Sequence, residues 1–233
     1  MELGRRAVLG WLGTIVFFRS ASAQPARSGN LTGQSSGEDI AREAERLNQG
    51  YVGERSAFSL LLINAQGDRT ERRFTLELRE DLAQGDQSRI DFDWPDSVRG
   101  TILLTHAHTA GDDDQWLYLP ATKRVRRISA GQKNGSFMGS EFTYEDLSPP
   151  VASKYTHARN ADETLEGRPC YKLERRSRTE GSGYSRQLLW LDKERLVPAM
   201  MEFYDRKNEL LKVAYYRDYR PFGRYQRAAL ARM

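Results

Sequence analysis

Along most of the chain apolar and polar residues alternate with a period of two, the spacing of half-buried strands. Arg73 to Glu80 sets Phe74, Leu76 and Leu78 on one face and Thr75, Glu77 and Arg79 on the other. Arg89 to Trp94 repeats the pattern with Ile90, Phe92 and Trp94, and Pro95 stops it. Similar runs cover residues 57–63, 101–108, 115–119, 123–128, 154–160, 169–176, 186–192, 197–205 and 210–216. Ala65-Gln66-Gly67-Asp68, Gly111-Asp112-Asp113-Asp114, Glu180-Gly181-Ser182-Gly183 and Asp205-Arg206-Lys207-Asn208 read as turns between them. One stretch has the helical period instead: Ile40, Ala44, Leu47 and Tyr51 share a face, opposite Arg42, Glu43, Glu45 and Arg46. Ser36 followed by Asp39 reads as its capping box, and Gly50 and Gly53 end it. One helix and about ten or eleven strands in hairpin order predict an antiparallel sheet, curved or closed. No internal repeat or domain boundary breaks the pattern.

The first 23 residues follow a different logic. Arg5 and Arg6 form a positive start, Ala7 to Phe18 is apolar, and Ala21-Ser22-Ala23 is a small-x-small cleavage pattern. This order predicts an export signal cut before Gln24, too short to span a bilayer comfortably. Arg5-Arg6 fits a twin-arginine route, while Gly4 leaves the general secretory route equally open. No cysteine stands near position 23 to take a lipid anchor. Residues 24–37 are rich in Ser, Gly, Asn and Gln and read as a flexible lead-in, leaving residues 38–233 as one domain. The expected location is therefore outside the cytoplasm.

Composition narrows the class. A chain of 233 residues with 11 Tyr, 9 Phe and 4 Trp holds enough large side chains for a substantial core. The single cysteine, Cys170, excludes a disulfide framework and any multi-cysteine metal site, and reads as a small core residue. The formal charge of +4 falls to about +2 once the leader is set aside, so the basic balance does not point to nucleic acid.

Candidate catalytic groups are sparse. Thr105-His106-Ala107-His108-Thr109-Ala110-Gly111-Asp112 resembles the His-x-His-x-Asp-His zinc motif of metallo-β-lactamase-like hydrolases, but Ala110 and Gly111 stand where that motif needs its Asp and next His. A metal site would have to use His106, His108 and His157, every histidine in the chain. The acidic run Asp112-Asp113-Asp114 lacks the spaced ligands of a calcium loop. Glu141 and Glu145 are paired carboxylates that could serve as acid/base groups, a weak signal because surface carboxylates are common, and there is neither a nucleophile elbow nor a phosphate-binding glycine loop. No catalytic residue, cofactor or metal is expected, and the chain is not read as an enzyme. Lys123-Arg124-Val125-Arg126-Arg127 is a basic strand, with Arg124, Arg126 and Arg127 as candidate contacts for anionic headgroups.

From residue 112 the sequence becomes specific. Asp113-Asp114-Gln115-Trp116-Leu117-Tyr118-Leu119-Pro120, then Lys123 to Ile128, then Gly135-Ser136-Phe137-Met138-Gly139-Ser140-Glu141-Phe142-Thr143-Tyr144-Glu145-Asp146-Leu147 closely resembles the outer-membrane lipoprotein-sorting proteins of the LolA-like group. The resemblance spans roughly residues 38–220. It implies a strongly curved antiparallel half-barrel of the LolA/LolB type, with an N-terminal helix and a loop or short helix over its concave face. It also implies a periplasmic carrier that holds lipid or lipoprotein acyl chains in an apolar trough and moves them between envelope membranes, touching membranes transiently. Candidate liners are Trp116, Tyr118, Phe137, Met138, Phe142, Trp190, Met200 and Phe203. The family's pattern continues with two more strands past Tyr219, where this chain has Tyr225 to Met233; that segment reads as a short helix or tail, so the sheet is expected to lack an edge strand. The alternative is a non-enzymatic accessory subunit of an RND- or MMPL-type inner-membrane transporter, and an exported metallohydrolase ranks last.

Overall fold

A computed structural model describes residues 6–11, 16–17 and 31–233, the first two segments as backbone. Its elements are β1 (Arg6–Trp11), β2 (Val16–Phe17), α1 (Gly37–Asn48), β3 (Gly53–Ile63), β4 (Arg69–Arg79), β5 (Gln87–Trp94), β6 (Ile102–His106), β7 (Asp114–Leu119), β8 (Arg124–Ile128), β9 (Tyr155–Arg159), β10 (Glu163–Leu165), β11 (Arg168–Ser177), β12 (Arg186–Asp192), β13 (Pro198–Tyr204), β14 (Leu210–Phe222) and β15 (Tyr225–Arg232). All pairings are antiparallel. β3 to β8 form one meander and β11 to β15 a second, with β9 and β10 both on β11. The sheet stays open, ending at β8 and β10, and curves into a half-barrel.

The alternation in the sequence sets the two faces. Phe74, Ile90, Phe92, Leu103, Leu117, Leu173, Leu189, Met201 and Phe203 point inward and join one core cluster. On the outer face Cys170, Leu188, Trp190, Ala199 and Met200 make a smaller cluster. Trp94 departs from the expected parity. A register shift between Arg73 and Phe74 pairs Phe92 with Phe74 but Trp94 with Arg73. That bulge turns the indole outward, where the Arg73 guanidinium lies 5.3 Å from its centroid.

Helix α1 lies over the concave side. Ser36 caps it as expected: its hydroxyl accepts from the Asp39 amide at 3.2 Å, and Asp39 accepts from the Ser36 amide at 3.2 Å. Gly37 lets the first turn sit on β9, since a Cβ there would stand 2.6 Å from the His157 carbonyl. Ile40 is fully buried beneath it. Residues 129–151 form the loop over the concave face, with short 3-10 turns at Ala130–Gln132 and Glu145–Leu147.

Two expectations need correction. Tyr225 to Arg232 is a strand, not a helix or tail, and pairs with β14 from Phe222–Tyr225 to Tyr215–Arg232. Its weak strand propensity is overridden by that pairing, by the buried Met233, and by Arg227, which meets the buried Glu54 at 2.7 Å. β15 does not leave the sheet without an edge strand: Arg6 to Trp11, set aside as leader, lies between β15 and β3 and pairs with both. An apolar extended segment there satisfies two rows of backbone groups that would otherwise face each other unpaired. The remainder of residues 1–23 lies outside the described residues, except Val16–Phe17 against β3.

Candidate functional site: an apolar cavity under the helix and loop

Between α1, the 129–151 loop and the curved sheet lies a cavity of about 740 Å³. One wall comes from β3 to β5, with Phe58, Phe74, Leu76, Leu78 and Ile90. The other comes from β12 to β14, with Leu189, Leu191, Met201, Phe203 and Tyr216. Ala41, Ala44 and Leu47 of α1, with Phe142 and Leu147 of the loop, roof it. A row of aromatic rings runs from this wall to the loop: Phe58, Phe74, Phe92, Phe137 and Tyr144 follow one another at centroid spacings of 5.5, 5.4, 5.7 and 5.6 Å. Such contacts add to the burial each ring already contributes. The volume suits a small-molecule or acyl-chain pocket.

The loop is fastened from both meanders. Gln115, fully buried on β7, donates to the Tyr144 carbonyl at 2.9 Å, and Arg72 of β4 donates to the Met138 carbonyl. From the other side Lys212 of β14 meets Asp146 at 2.5 Å and donates to the Glu141 carbonyl at 2.8 Å. The Tyr184 hydroxyl donates to Asp146 at 2.8 Å. Glu145 accepts from the Ser182 hydroxyl at 2.6 Å and the Gly183 amide at 2.9 Å. Burial pushes the Glu145 carboxyl above the ordinary carboxylate range, against the pull of those two donors. Burial likewise raises the Tyr155 phenol and lifts Tyr216 to about 12, so both stay neutral. It lowers the His157 imidazole, despite Glu38 Oε2 at 3.3 Å from its Nδ1.

The rim is polar with one apolar point. Tyr51 donates to Asp86 at 2.7 Å, Gly50 donates to Glu80 at 2.6 Å, and Arg224 donates to the Gln49 carbonyl at 2.5 Å. Leu82 stands out from this rim, 62% exposed.

Of the eight expected liners, Phe142 and Phe203 face the cavity. Phe137 is buried behind it, and Met138 packs against the same core while its carbonyl receives Arg72. Trp116 and Tyr118 are not brought to the cavity. On β7 the buried positions are Gln115 and Leu117, so the intervening aromatics point to the other face, where Trp116 meets His106 edge-on at 5.3 Å. Trp190 and Met200 likewise sit in the outer cluster. The liners missed by that set are the inward members of the strands already legible by alternation, such as Leu76, Ile90, Leu189 and Met201.

The basic strand is the open edge β8. Arg124, Arg126 and Arg127 are all exposed, but they do not share a face. Arg124 and Arg126 lie opposite Leu119 and Leu117, on the concave side, whereas Arg127 lies opposite Trp116 and is engaged by Asp114. The acidic turn is spent inside the protein: Asp113 accepts from the His108 amide at 3.0 Å and from Lys154, and Asp114 meets the His108 ring at 3.0 Å. His106, His108 and His157 each have separate neighbours, and no three His, Cys, Asp or Glu side chains converge as metal ligands among the described residues.

With this geometry in view, comparison with known proteins is decisive. The DUF1329 model, "Protein of unknown function", matches residues 8–149, and a family model described as "Uncharacterized protein" matches residues 84–233. A crystal structure from Vibrio parahaemolyticus, described as an outer membrane lipoprotein-sorting protein domain, is 40% identical over 84% of this chain and 88% of that one, with a TM-score of 0.81. The chain belongs to the LolA-like DUF1329 family. Another DUF1329 family protein, from Desulfovibrio piger, is 28% identical over 84% of this LolA-like chain and 88% of its own, with a TM-score of 0.77. A LolA superfamily protein from Nitrosomonas europaea shares the fold at 16% identity, covering 85% and 90% of the two chains with a TM-score of 0.67. No match was found among the curated proteins compared with this LolA-like chain. Among its described residues no helix is long and apolar enough to cross a membrane.

Proposed function

We propose that this protein is a periplasmic carrier that holds lipid or lipoprotein acyl chains and moves them between envelope membranes. The observation that carries the reading is the apolar cavity of about 740 Å³ enclosed by α1, the loop and the curved sheet of a LolA-like fold. Each methylene withdrawn from water gains about 0.8 kcal/mol, so a dozen of them supply on the order of 10 kcal/mol before ordering costs. The work is binding and release, with no bond made or broken. Leu82 on the rim would touch the bilayer surface during transfer, and Arg124 and Arg126, which have no carboxylate partner among the described residues, would meet anionic headgroups. The accessory-subunit alternative has no observation of its own in the fold.

Native mass spectrometry of the protein purified from the periplasm without detergent tests this. An adduct of lipid mass is expected, and its fragments would name the cargo. A bare protein that also fails to take up added acyl chains would overturn the carrier reading.

A further inference from the structure

Among the described residues, a half-buried cation on the cavity wall meets no carboxylate at ion-pair distance. Arg175 is on the inward face of β11, opposite Gln187 of β12 and His157 of β9, and its side chain lines the cavity. Its Nε donates to the Gln187 side-chain oxygen at 2.5 Å, and Nη2 reaches the Met201 sulfur at 3.6 Å. The guanidinium lies 4.4 Å from the centroid of the Tyr155 ring. All three partners are neutral. Buried cations nearby are matched, Lys154 by Asp113, Arg227 by Glu54 and Lys212 by Asp146, while Arg224 at the rim is held by the Gln49 carbonyl and the exposed Arg195 faces solvent. Glu145 is the carboxyl that bears on Arg175, yet its oxygens are taken by Ser182 and Gly183. Asp113 and Asp146, which bear on the same Tyr155 ring, are held by Lys154 and Lys212, and His157 and Tyr216 carry no negative charge at neutral pH.

Placing a guanidinium in an apolar cavity without a carboxylate is costly unless something else completes it. Gln187, Met201 and Tyr155 fix its plane and leave part of its fork open to the cavity. A planar fork of N–H groups matches a carboxylate or phosphate in a bidentate way. We propose that Arg175 is the internal anchor for the anionic head of the cargo, a carboxylate or phosphate carried on an acyl chain that lies along the aromatic wall. This rests on the carrier reading and adds its chemistry: the preferred cargo is an acidic amphiphile that enters head first.

Three probes with one chain length separate the two ideas: hexadecanoic acid, hexadecyl phosphate and hexadecanol, each displacing the neutral dye N-phenyl-1-naphthylamine from the full chain. The parent is expected to bind at least one anionic probe tenfold or more tighter than the alcohol, and whichever anion is preferred names the head. Arg175→Met should bring the preferred anion down to the affinity of the alcohol and leave the alcohol unchanged, which shows the cavity intact. Arg175→Lys should retain an intermediate preference. If the parent binds acid, phosphate and alcohol equally, or Arg175→Met weakens all three alike, the anchor is overturned while the carrier stands. If none of the three binds, the carrier reading falls and the anchor with it.

Discussion

Lys212→Met tests whether a buried charge pair holds the loop on the cavity. Lys212 and Asp146 approach to 2.5 Å with side chains only 7% and 5% exposed. Removing the cation strands the carboxylate with the Tyr184 hydroxyl at 2.8 Å and the Thr143 amide at 2.7 Å. Losing one member of a buried pair costs about 3–5 kcal/mol. The two surviving donors place this case near the lower end, about 3 kcal/mol, or a fall in melting temperature of roughly 6–12 °C for a domain of this size. Urea and thermal melts followed by near-ultraviolet circular dichroism measure it. The double variant Lys212→Met/Asp146→Asn keeps an acceptor for Tyr184 but removes the orphaned charge, so it should recover about 1–2 kcal/mol relative to additivity. A double variant whose losses simply add, or a single variant melting within about 2 °C of the parent, would refute the argument that this pair pins the loop.

Other expectations follow from the same structure. Burial holds the His157 imidazole below its ordinary value, so as pH falls the unfolded chain takes the proton first. Stability should therefore be full above about pH 7 and decline below about 6.5, and His157→Gln should flatten that decline between about pH 6.5 and 5 in a series of urea melts. Leu76→Asp, on the cavity wall, should cut uptake of hexadecanol at least tenfold in the dye-displacement assay, whereas Trp116→Asp, on the outer face, should leave it unchanged; the reverse order would show that the wrong face has been assigned. Ser36→Ala removes the cap of α1 and should cost about 1 kcal/mol in a urea melt.

Alternation makes the sheet legible in the sequence: the faces of β4 and β5 are written in Phe74, Leu76, Ile90 and Phe92. What alternation does not state is which face closes over the cavity. β7 illustrates this, since Gln115-Trp116-Leu117-Tyr118-Leu119 puts the larger aromatics on the outer side and a glutamine on the inner. Gln115 is buried because its amide reaches the Tyr144 carbonyl, a contact 29 residues away in sequence. Trp94 fails for a different reason, a one-residue bulge that reverses parity without any turn residue to announce it. Arg175 and Lys212 were illegible as interior groups because a cation on a strand ordinarily reads as solvated; only the pairing of β11 with β12 and of β13 with β14 turns them inward. The capping box of Ser36 and Asp39, by contrast, is a local device, and its sequence signature sufficed.

The ends of the open sheet bear on how copies of the protein behave toward one another. A strand with a free row of backbone groups invites a second molecule to add to it, and repetition of that event builds aggregates. β10 limits the invitation by being three residues long. β8 limits it with its arginines, because two such edges brought together antiparallel would stack guanidinium against guanidinium. That protection is electrostatic rather than steric, and ions weaken it, since the screening length shrinks from about 10 Å at 0.1 M salt to about 3 Å at 1 M. Concentrated protein should therefore stay dispersed at low ionic strength and begin to self-associate as salt is raised, the opposite of what attraction between opposite charges would give.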